Sequence, residues 1–197
     1  MHINGLDLER TLRQCRQGNA LAWEALVKAF QARVFGVARY YLKNTDEAQD
    51  VTQDIFVKLY QQLGRFERNA DAFEAWILAI ARNSCLDRIR KSKARNKYEE
   101  EFKHSVLNPL DSEENPEALS VEEQRRQMMY QALSEFDDTS RDIVLLKEIQ
   151  GLKIEEVAEI LSLPEGTVKS RSNRARLELA RRLMKLTGSE PGSSGAF

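Results

Sequence analysis

The first half of the chain repeats apolar side chains at intervals of three and four, which is the period of an amphipathic helix. Asp7, Asn19 and Thr45 each precede such a stripe and can cap a helix, and Asp71 with Glu74 has capping-box spacing before a fourth. Alternation of the kind that marks strands is absent, so the pattern predicts an all-α fold. The predicted core stripes are Trp23, Leu26, Val27, Phe30, Val34, Val37 and Tyr41; Ala48, Val51, Ile55, Leu59 and Leu63; and Phe73, Trp76, Ile77, Ile80 and Ala81.

The helical period fades after Glu101 and returns near Val121. Residues 98–123 hold two of the four prolines and nine acidic residues against the single Lys103, a net charge of −8. Such composition is typical of a linker without a packed core. The sequence therefore predicts helical domains at 1–97 and 124–187, an acidic flexible linker at 98–123, and a disordered Gly/Ser-rich tail at 188–197.

Residues 152–183 have the pattern of a helix-turn-helix. Ile154, Val157, Ala158 and Leu161 form the inner face of one helix, and residues 162–166 form a short turn. Ser162 stands where glycine often eases such a turn, which leaves the turn conformation open. The second helix, capped by Thr167 and anchored by Val168, suits a DNA major groove because arginine binds guanine through two hydrogen bonds. Its candidate DNA-contacting residues are Thr167, Lys169, Ser170, Arg171, Arg174 and Arg176. The alternative is a plain helix pair with a basic exterior.

The formal net charge of −1 conceals two basic blocks, residues 65–97 and 165–185, which each net +5. Such asymmetry favours a nucleic-acid partner, although helix dipoles attract some of these charges and the first block could instead neutralise the acidic linker. His2 and His104 are the only histidines, and Cys15 and Cys85 the only cysteines. The sequence therefore predicts neither catalysis, nor a cofactor, nor a metal site, and it favours a reducing cytoplasm. No apolar run is long enough for a membrane span, and the N-terminus has no signal-peptide pattern.

Three segments in order resemble the extracytoplasmic-function (ECF) class of bacterial sigma factors. Residues 46–66 are similar to the core-polymerase-binding helix of that family, residues 73–91 to its promoter-melting helix, and residues 148–183 to its promoter-binding helix-turn-helix. The resemblance covers about residues 7–186. It departs at Ser172 and Asn173, where the family often carries an apolar residue and then histidine.

The resemblance implies an alternative sigma factor that directs promoter-specific transcription, with an envelope- or other stress-responsive role. The polar face of residues 46–63 would bind the clamp helices of the largest polymerase subunit, and the second domain would meet the flap of the second-largest. An anti-sigma factor, which could hold the protein at the inner membrane face, is a further expected partner. The chosen polymerase-binding residues are Asp50, Gln53, Asp54 and Phe56.

The resemblance also assigns the melting of the minus-ten element to residues 66–91, and reading of the minus-thirty-five element to the second helix of the helix-turn-helix. Phe66 would line a pocket for a flipped base, Asn83 would read its edge, and basic residues would track the single strand. The acidic linker would thread toward the active site and the RNA exit path, or serve only as a tether. The chosen minus-ten residues are Phe66, Arg82, Asn83, Arg88, Arg90 and Lys91.

Two other classes remain as alternatives. One is a helix-turn-helix regulator without a specificity role in core polymerase, similar to the effector domain of response regulators. That class predicts an α/β domain in the first half, which the sequence does not favour. The other is a helical adaptor protein, which leaves both basic blocks without a purpose.

Overall fold

The structure is a computed structural model that describes residues 2–3, 6–102 and 121–186, with side chains described for 6–94, 125 and 128–186. Most of the predicted linker and the whole predicted tail lie outside the described residues. The chain divides into two compact units, Met1–Val106 and Leu107–Phe197. The all-α class is confirmed, with eight α-helices in the described residues.

The first unit begins with two short antiparallel strands, β1 (His2–Ile3) and β2 (Leu6–Asp7), which the sequence pattern did not predict. Two residues per strand are too few to show an alternation. Helix α1 (Leu8–Arg16) follows, capped by Asp7 as predicted, and helix α2 (Ala20–Leu42) is capped by Asn19 as predicted. Gly18 joins them with a φ of +80°, a conformation that glycine adopts without strain.

Helix α3 (Thr45–Gln62) is capped by Asn44, whose side chain accepts a hydrogen bond from the backbone N–H of Glu47, so the predicted cap at Thr45 is one residue late. Short 3₁₀ turns at Leu63–Arg65 and Ala70–Ala72 lead into helix α4 (Phe73–Phe102). The cap of the second turn is Asn69 rather than Asp71, and Glu74 instead pairs with Arg33 of α2. The fully buried core of this unit includes Leu26, Phe30, Ile55, Leu59, Phe73 and Ile77.

The second unit contains α5 (Val121–Ser134), α6 (Asp138–Ile143), a π-helical segment (Val144–Ile149), α7 (Ile154–Leu161) and α8 (Glu165–Leu186). Gly151 follows the π-helical segment with a φ of +77°, a conformation that glycine adopts without strain. Arg182 ties the second half of α8 to α5, since it donates to the carbonyl of Ala132 and lies over the ring of Phe136. The fully buried core includes Leu133, Ile143, Leu145, Leu146, Val157 and Val168.

Candidate nucleic-acid interface and protein-binding face

The turn between α7 and α8 is a Schellman motif, which positions the second helix tightly. The Leu163 N–H donates to the Ala158 carbonyl at 2.9 Å, and the Ser162 N–H donates to the Glu159 carbonyl at 3.2 Å. Ser162 occupies the left-handed position with a φ of 54°, where glycine would be unstrained. The turn conformation, which the sequence did not determine, is therefore a common type of helix ending with serine at the left-handed position.

Helix α8 begins at Glu165, two residues before the predicted cap, so the prediction that Thr167 caps it is wrong. Pro164 precedes the helix, and its carbonyl accepts hydrogen bonds from the N–H groups of Thr167 and Val168 at 2.9 and 3.1 Å. Proline suits this position because its fixed φ is compatible with the start of a helix. Thr167 consequently lies half-buried inside the first turn, and Val168 is fully buried as predicted.

The outward surface of α8 carries the predicted basic side chains. Lys169, Ser170, Arg174 and Arg176 are exposed, whereas Val168, Ala175 and Leu179 are buried. At 100° per residue, Ser170 and Leu177 lie near the middle of the outward face, Arg174 is displaced by about 50° toward Arg171, and Lys169 and Arg176 share the opposite flank. Asn173 is also exposed on this face, between Ser170 and Leu177, and its amide could read a base edge. The helical spacing from Ser170 is the signal that would have added it.

Arg171 lies on the other flank of α8, against α6. Its guanidinium donates to the Asp137 carboxylate at 3.2 Å, and about 40% of its side chain is exposed. Asp137 caps α6 by accepting from the Ser140 N–H at 3.0 Å. Hydrogen bonds from Ser140 lower the pKa of Asp137, burial opposes that shift, and the positive charge of Arg171 adds to the lowering. Arg171 therefore contacts DNA only if its guanidinium leaves the Asp137 carboxylate or binds the carboxylate and DNA at the same time.

The departure from the family pattern at Ser172 has a structural counterpart. Ser172 is only 1% exposed, and its hydroxyl donates to the Glu148 carboxylate at 2.8 Å. Lys147 donates to the same carboxylate oxygen at 2.9 Å. Burial alone would raise the pKa of Glu148, but the hydrogen bonds from Lys147 and Ser172 and the charges of Lys147 and Arg176 lower it overall. A polar contact therefore joins the middle of α8 to the π-helical segment.

The second basic surface lies on α4. Asn83, Arg88, Arg90 and Lys91 are exposed, and Arg82 is half-exposed with one guanidinium nitrogen 3.4 Å from the Asn83 side-chain oxygen. Helical spacing places Asn83, Arg90 and Lys91 on one face, with Asp87 between them. Asp87 accepts a hydrogen bond from Arg90 at 3.0 Å, which moderates the positive charge of that face.

Phe66 does not belong to this surface, so the prediction that its ring lines a pocket for a flipped base is wrong for this structure. The ring is 5% exposed, stacks on Trp76 with centroids 4.7 Å apart, and meets Phe73 edge-on at 5.5 Å. Phe66 lies in a loop, where no helical period indicates which way a side chain points. The aromatic cluster buries it because a phenyl ring gains more from the core than from solvent.

The outward face of α3 is polar at its start and apolar at its end. Asp50, Gln53 and Asp54 are exposed as predicted, but Phe56 is only 8% exposed and belongs to the core beside Ile55, so its assignment to the polar face is wrong. Helical spacing from Gln53 continues the outward face through Val57 and Tyr60, which are 56% and 61% exposed. Val57 and Tyr60 were not among the predicted polymerase-binding residues, although the same helical spacing identifies them.

Both cysteines are free thiols, and both are buried. Burial raises the pKa of the Cys85 thiol to about 12, although the nearby charge of Lys58 acts in the opposite direction, and burial also raises the pKa of Cys15. Lys58 donates to the Ser84 hydroxyl at 3.0 Å, beside this thiol. In the described ranges the side chains form no group of three or more that could hold a metal ion. No helix within those ranges is long and apolar enough to cross a membrane.

Each of the two units matches one family model. The model for Sigma-70 region 2 matches residues 26–95, and the model for Sigma-70, region 4 matches residues 126–179. The chain is 31% identical to the ECF RNA polymerase sigma-E factor of Escherichia coli strain K12, over 82% of this chain and 86% of that protein. It is 28% identical to the ECF RNA polymerase sigma factor SigW of Bacillus subtilis, over 91% and 98%.

Two solved structures have a similar fold. The structure of CnrH in complex with the cytosolic domain of CnrY has a TM-score of 0.65 at 24% identity, and the alignment covers 93% of this chain and all of that chain. The sigma factor RpoE in complex with the anti-sigma factor NepR, from Bartonella quintana, has a TM-score of 0.61 at 24% identity, with 83% and 96% covered.

Proposed function

The chain belongs to the ECF RNA polymerase sigma factors, and from that membership we propose how its surfaces share the work of promoter-specific transcription initiation. A sigma factor binds core polymerase and directs it to a promoter. The observation that carries the assignment is a division of surfaces. The first unit presents an acid–amide face on α3 and a basic face on α4, and the second presents the basic face of α8.

The outward face of α3 binds core polymerase. Its acids would repel DNA phosphates, whereas polar residues beside an exposed aromatic suit a protein interface. Asp50, Gln53 and Asp54 supply the polar part of this face, and Val57 and Tyr60 extend it with apolar area. Tyr60 meets Trp23 of α2 edge-on at 5.2 Å, which holds its ring in place at low entropic cost.

The exposed face of α4 opens the minus-ten element. Asn83 offers an amide that can both donate to and accept from a base edge, and it stands out from the helix surface. The exposed guanidinium and ammonium groups nearby can neutralise the backbone of a separated strand. These groups belong to Arg82, Arg88, Arg90 and Lys91.

The outward face of α8 reads the minus-thirty-five element in the major groove. Arg174 is exposed between the middle of that face and Arg171, and its long guanidinium side chain can reach base edges, whereas Lys169 and Arg176 lie on the opposite flank, which suits phosphates. Thr167 and Ser170 contribute hydroxyls near the start of the helix. Arg171 joins them when its pairing with Asp137 is shared with DNA.

The protein acts in the cytoplasm as a non-catalytic subunit of RNA polymerase, without a cofactor of its own, and serves a stress response. An anti-sigma factor is its expected regulator. The support is that the solved RpoE relative was crystallised with the anti-sigma factor NepR. The two basic faces and the α3 face are exposed, so a partner that covers them would block both polymerase and promoter.

Run-off transcription by core polymerase from fragmented genomic DNA of the source bacterium, with and without this protein, tests the proposal. New transcripts that start at fixed distances from shared upstream motifs support it and yield both promoter elements. Retardation of duplex DNA without any new transcript would favour a helix-turn-helix regulator and would remove the assigned role of the α3 face.

A further inference from the structure

The connection between α3 and α4 is held from two sides at Phe66. On one side the ring of Phe66 is stacked on Trp76 of α4 and packed edge-on against Phe73. On the other side its backbone carbonyl accepts a hydrogen bond from the guanidinium of Arg16, at 2.5 Å. A second nitrogen of Arg16 makes a long contact of 3.5 Å with the carbonyl of Leu63. Arg16 is the last residue of α1, some fifty residues earlier in the chain.

Beyond Phe66 the connection is exposed for three residues before it is fixed again. Glu67, Arg68 and Asn69 are exposed, and the side chain of Asn69 accepts from the Ala72 N–H at 3.2 Å to start the turn that enters α4. The exposed segment is therefore a short span between two fixed points. At Phe66 the backbone N–H donates to the Leu63 carbonyl at 3.2 Å, and the Arg16 guanidinium holds the carbonyl from which the exposed segment continues.

Arg16 differs from its helical neighbours in this contact. Arg13, one turn earlier on α1, has a side chain 68% exposed and pairs only weakly with Glu9, at 3.6 Å. A charged donor that satisfies a carbonyl across a chain separation of this size forms one of the stronger hydrogen bonds available to a protein surface. It also brings α1 against the segment that joins the polymerase-binding helix to the melting helix.

We infer that Arg16 is a positioning residue for promoter opening, which fixes the exposed segment Glu67–Asn69 beside the melting helix α4. The inference rests on the proposed function of α4, and it adds α1 to the melting apparatus. In the proposed role, Arg16 makes no contact with a base. It acts through the Phe66 carbonyl, and it keeps the segment that enters α4 in one backbone conformation while the two DNA strands separate beside α4.

Three full-length variants, each combined with core polymerase, test the role. Arg16→Met keeps the apolar stem and removes the donors, Arg16→Lys keeps a cation that can donate to one carbonyl, and Arg13→Met is the matched control on the same helix. The measurement is the rate of opening on a duplex promoter and on the same promoter with a pre-melted minus-ten element. Single-base substitutions in each promoter element provide the second readout, and hydrogen exchange across residues 63–72 provides the third.

Arg16→Met should slow opening of the duplex promoter about tenfold, the equivalent of one charge-assisted hydrogen bond, and should slow the pre-melted promoter far less. It should also flatten discrimination at the minus-ten element alone and speed exchange across 63–72, with Arg16→Lys restoring both. Equal effects of Arg16→Met and Arg13→Met would overturn the inference, as would equal loss of discrimination at both elements. If the unmodified chain directs no transcription, the proposed function fails. If the unmodified chain directs transcription and the Arg16 variants open the promoter at the same rate, the proposed function stands and this inference fails.

Discussion

Replacing Ser172 by alanine removes the hydroxyl that ties α8 to Glu148. In the structure this hydroxyl lies 2.8 Å from the carboxylate, and the serine is 1% exposed. Glu148 itself is mostly buried, with 22% of its side chain exposed. The change creates little empty volume, so its effect isolates the hydrogen bond rather than the packing of the helix.

A hydrogen bond to a charged group contributes about 1.5–3 kcal/mol, and we expect the lower end, ~1.5 kcal/mol, for Ser172→Ala. The lower end applies because Lys147 continues to donate to the same carboxylate oxygen in the variant. Ser170→Ala is the matched control, since Ser170 is exposed and its hydroxyl donates to the carbonyl of Thr167, three residues earlier on the same helix. That control should change the free energy of unfolding by less than about 0.5 kcal/mol.

Native-state hydrogen exchange of the full chain measures the effect where it occurs. Amides of α7 and α8 should lose protection in Ser172→Ala, and amides of α2 and α3 should not change. Fluorescence of Trp23 and Trp76, which both lie in the first unit, provides an independent check that this unit is unaffected.

A double-mutant cycle with Glu148→Leu refutes or supports the pairing, because leucine has no atom that accepts from the Ser172 hydroxyl. If Ser172→Ala costs as much in the Glu148→Leu background as in the unmodified chain, the side chain at position 148 is not the partner of the hydroxyl. Equal effects of Ser172→Ala and Ser170→Ala would likewise show that the buried tie contributes nothing.

Three further predictions address other positions. Ser162→Gly should stabilise the second unit by about 0.5–1 kcal/mol, because relief of the strain of the left-handed conformation exceeds the entropic cost of glycine. Hydrogen exchange of the α7 amides measures the change, and lower protection in the variant would contradict the prediction. Phe66→Ala should cost about 3–5 kcal/mol by denaturant titration of the tryptophan signal, whereas a loss under about 1 kcal/mol would mean that the ring is not a core group. The pKa values of Asp137 and Glu148 are lowered by folding, so their stabilisation is complete above about pH 4.5 and is lost as the pH falls through the folded values. Asp137→Asn with Glu148→Gln should therefore reduce the acid sensitivity of the second unit, and unchanged sensitivity contradicts that assignment.

The helices and their buried stripes were predictable because each is long enough to repeat its period several times. Phe30, Ile55 and Phe73 lie in the core as their spacing indicates. Caps at Asp7 and Asn19 were predictable because a side-chain acceptor stands directly before the first apolar repeat. The two strands escaped prediction because two residues establish no alternation.

Helical spacing did not determine the burial of Phe56 and Phe66, which were assigned wrongly, or the contact of Ser172, which was not predicted. Phe56 follows the buried Ile55 at the border of the inward stripe, where a turn of 100° leaves an aromatic ring free to face either way. Phe66 lies outside any periodic element, and only its contacts with Phe73 and Trp76 reveal that it is buried. The pairing of Ser172 with Glu148 joins residues far apart in sequence, and spacing carries no signal for such a contact.

Permanganate footprinting of a promoter mapped by run-off transcription tests the central claim most directly, because permanganate oxidises thymines that have left the duplex. With core polymerase and this chain together, thymines in and downstream of the minus-ten element should become reactive, and neither protein alone should expose them. Asn83→Ala should reduce that reactivity on the duplex promoter more than it reduces binding of a pre-melted one. Reactivity produced by core polymerase alone, or none when both are present, would contradict the account.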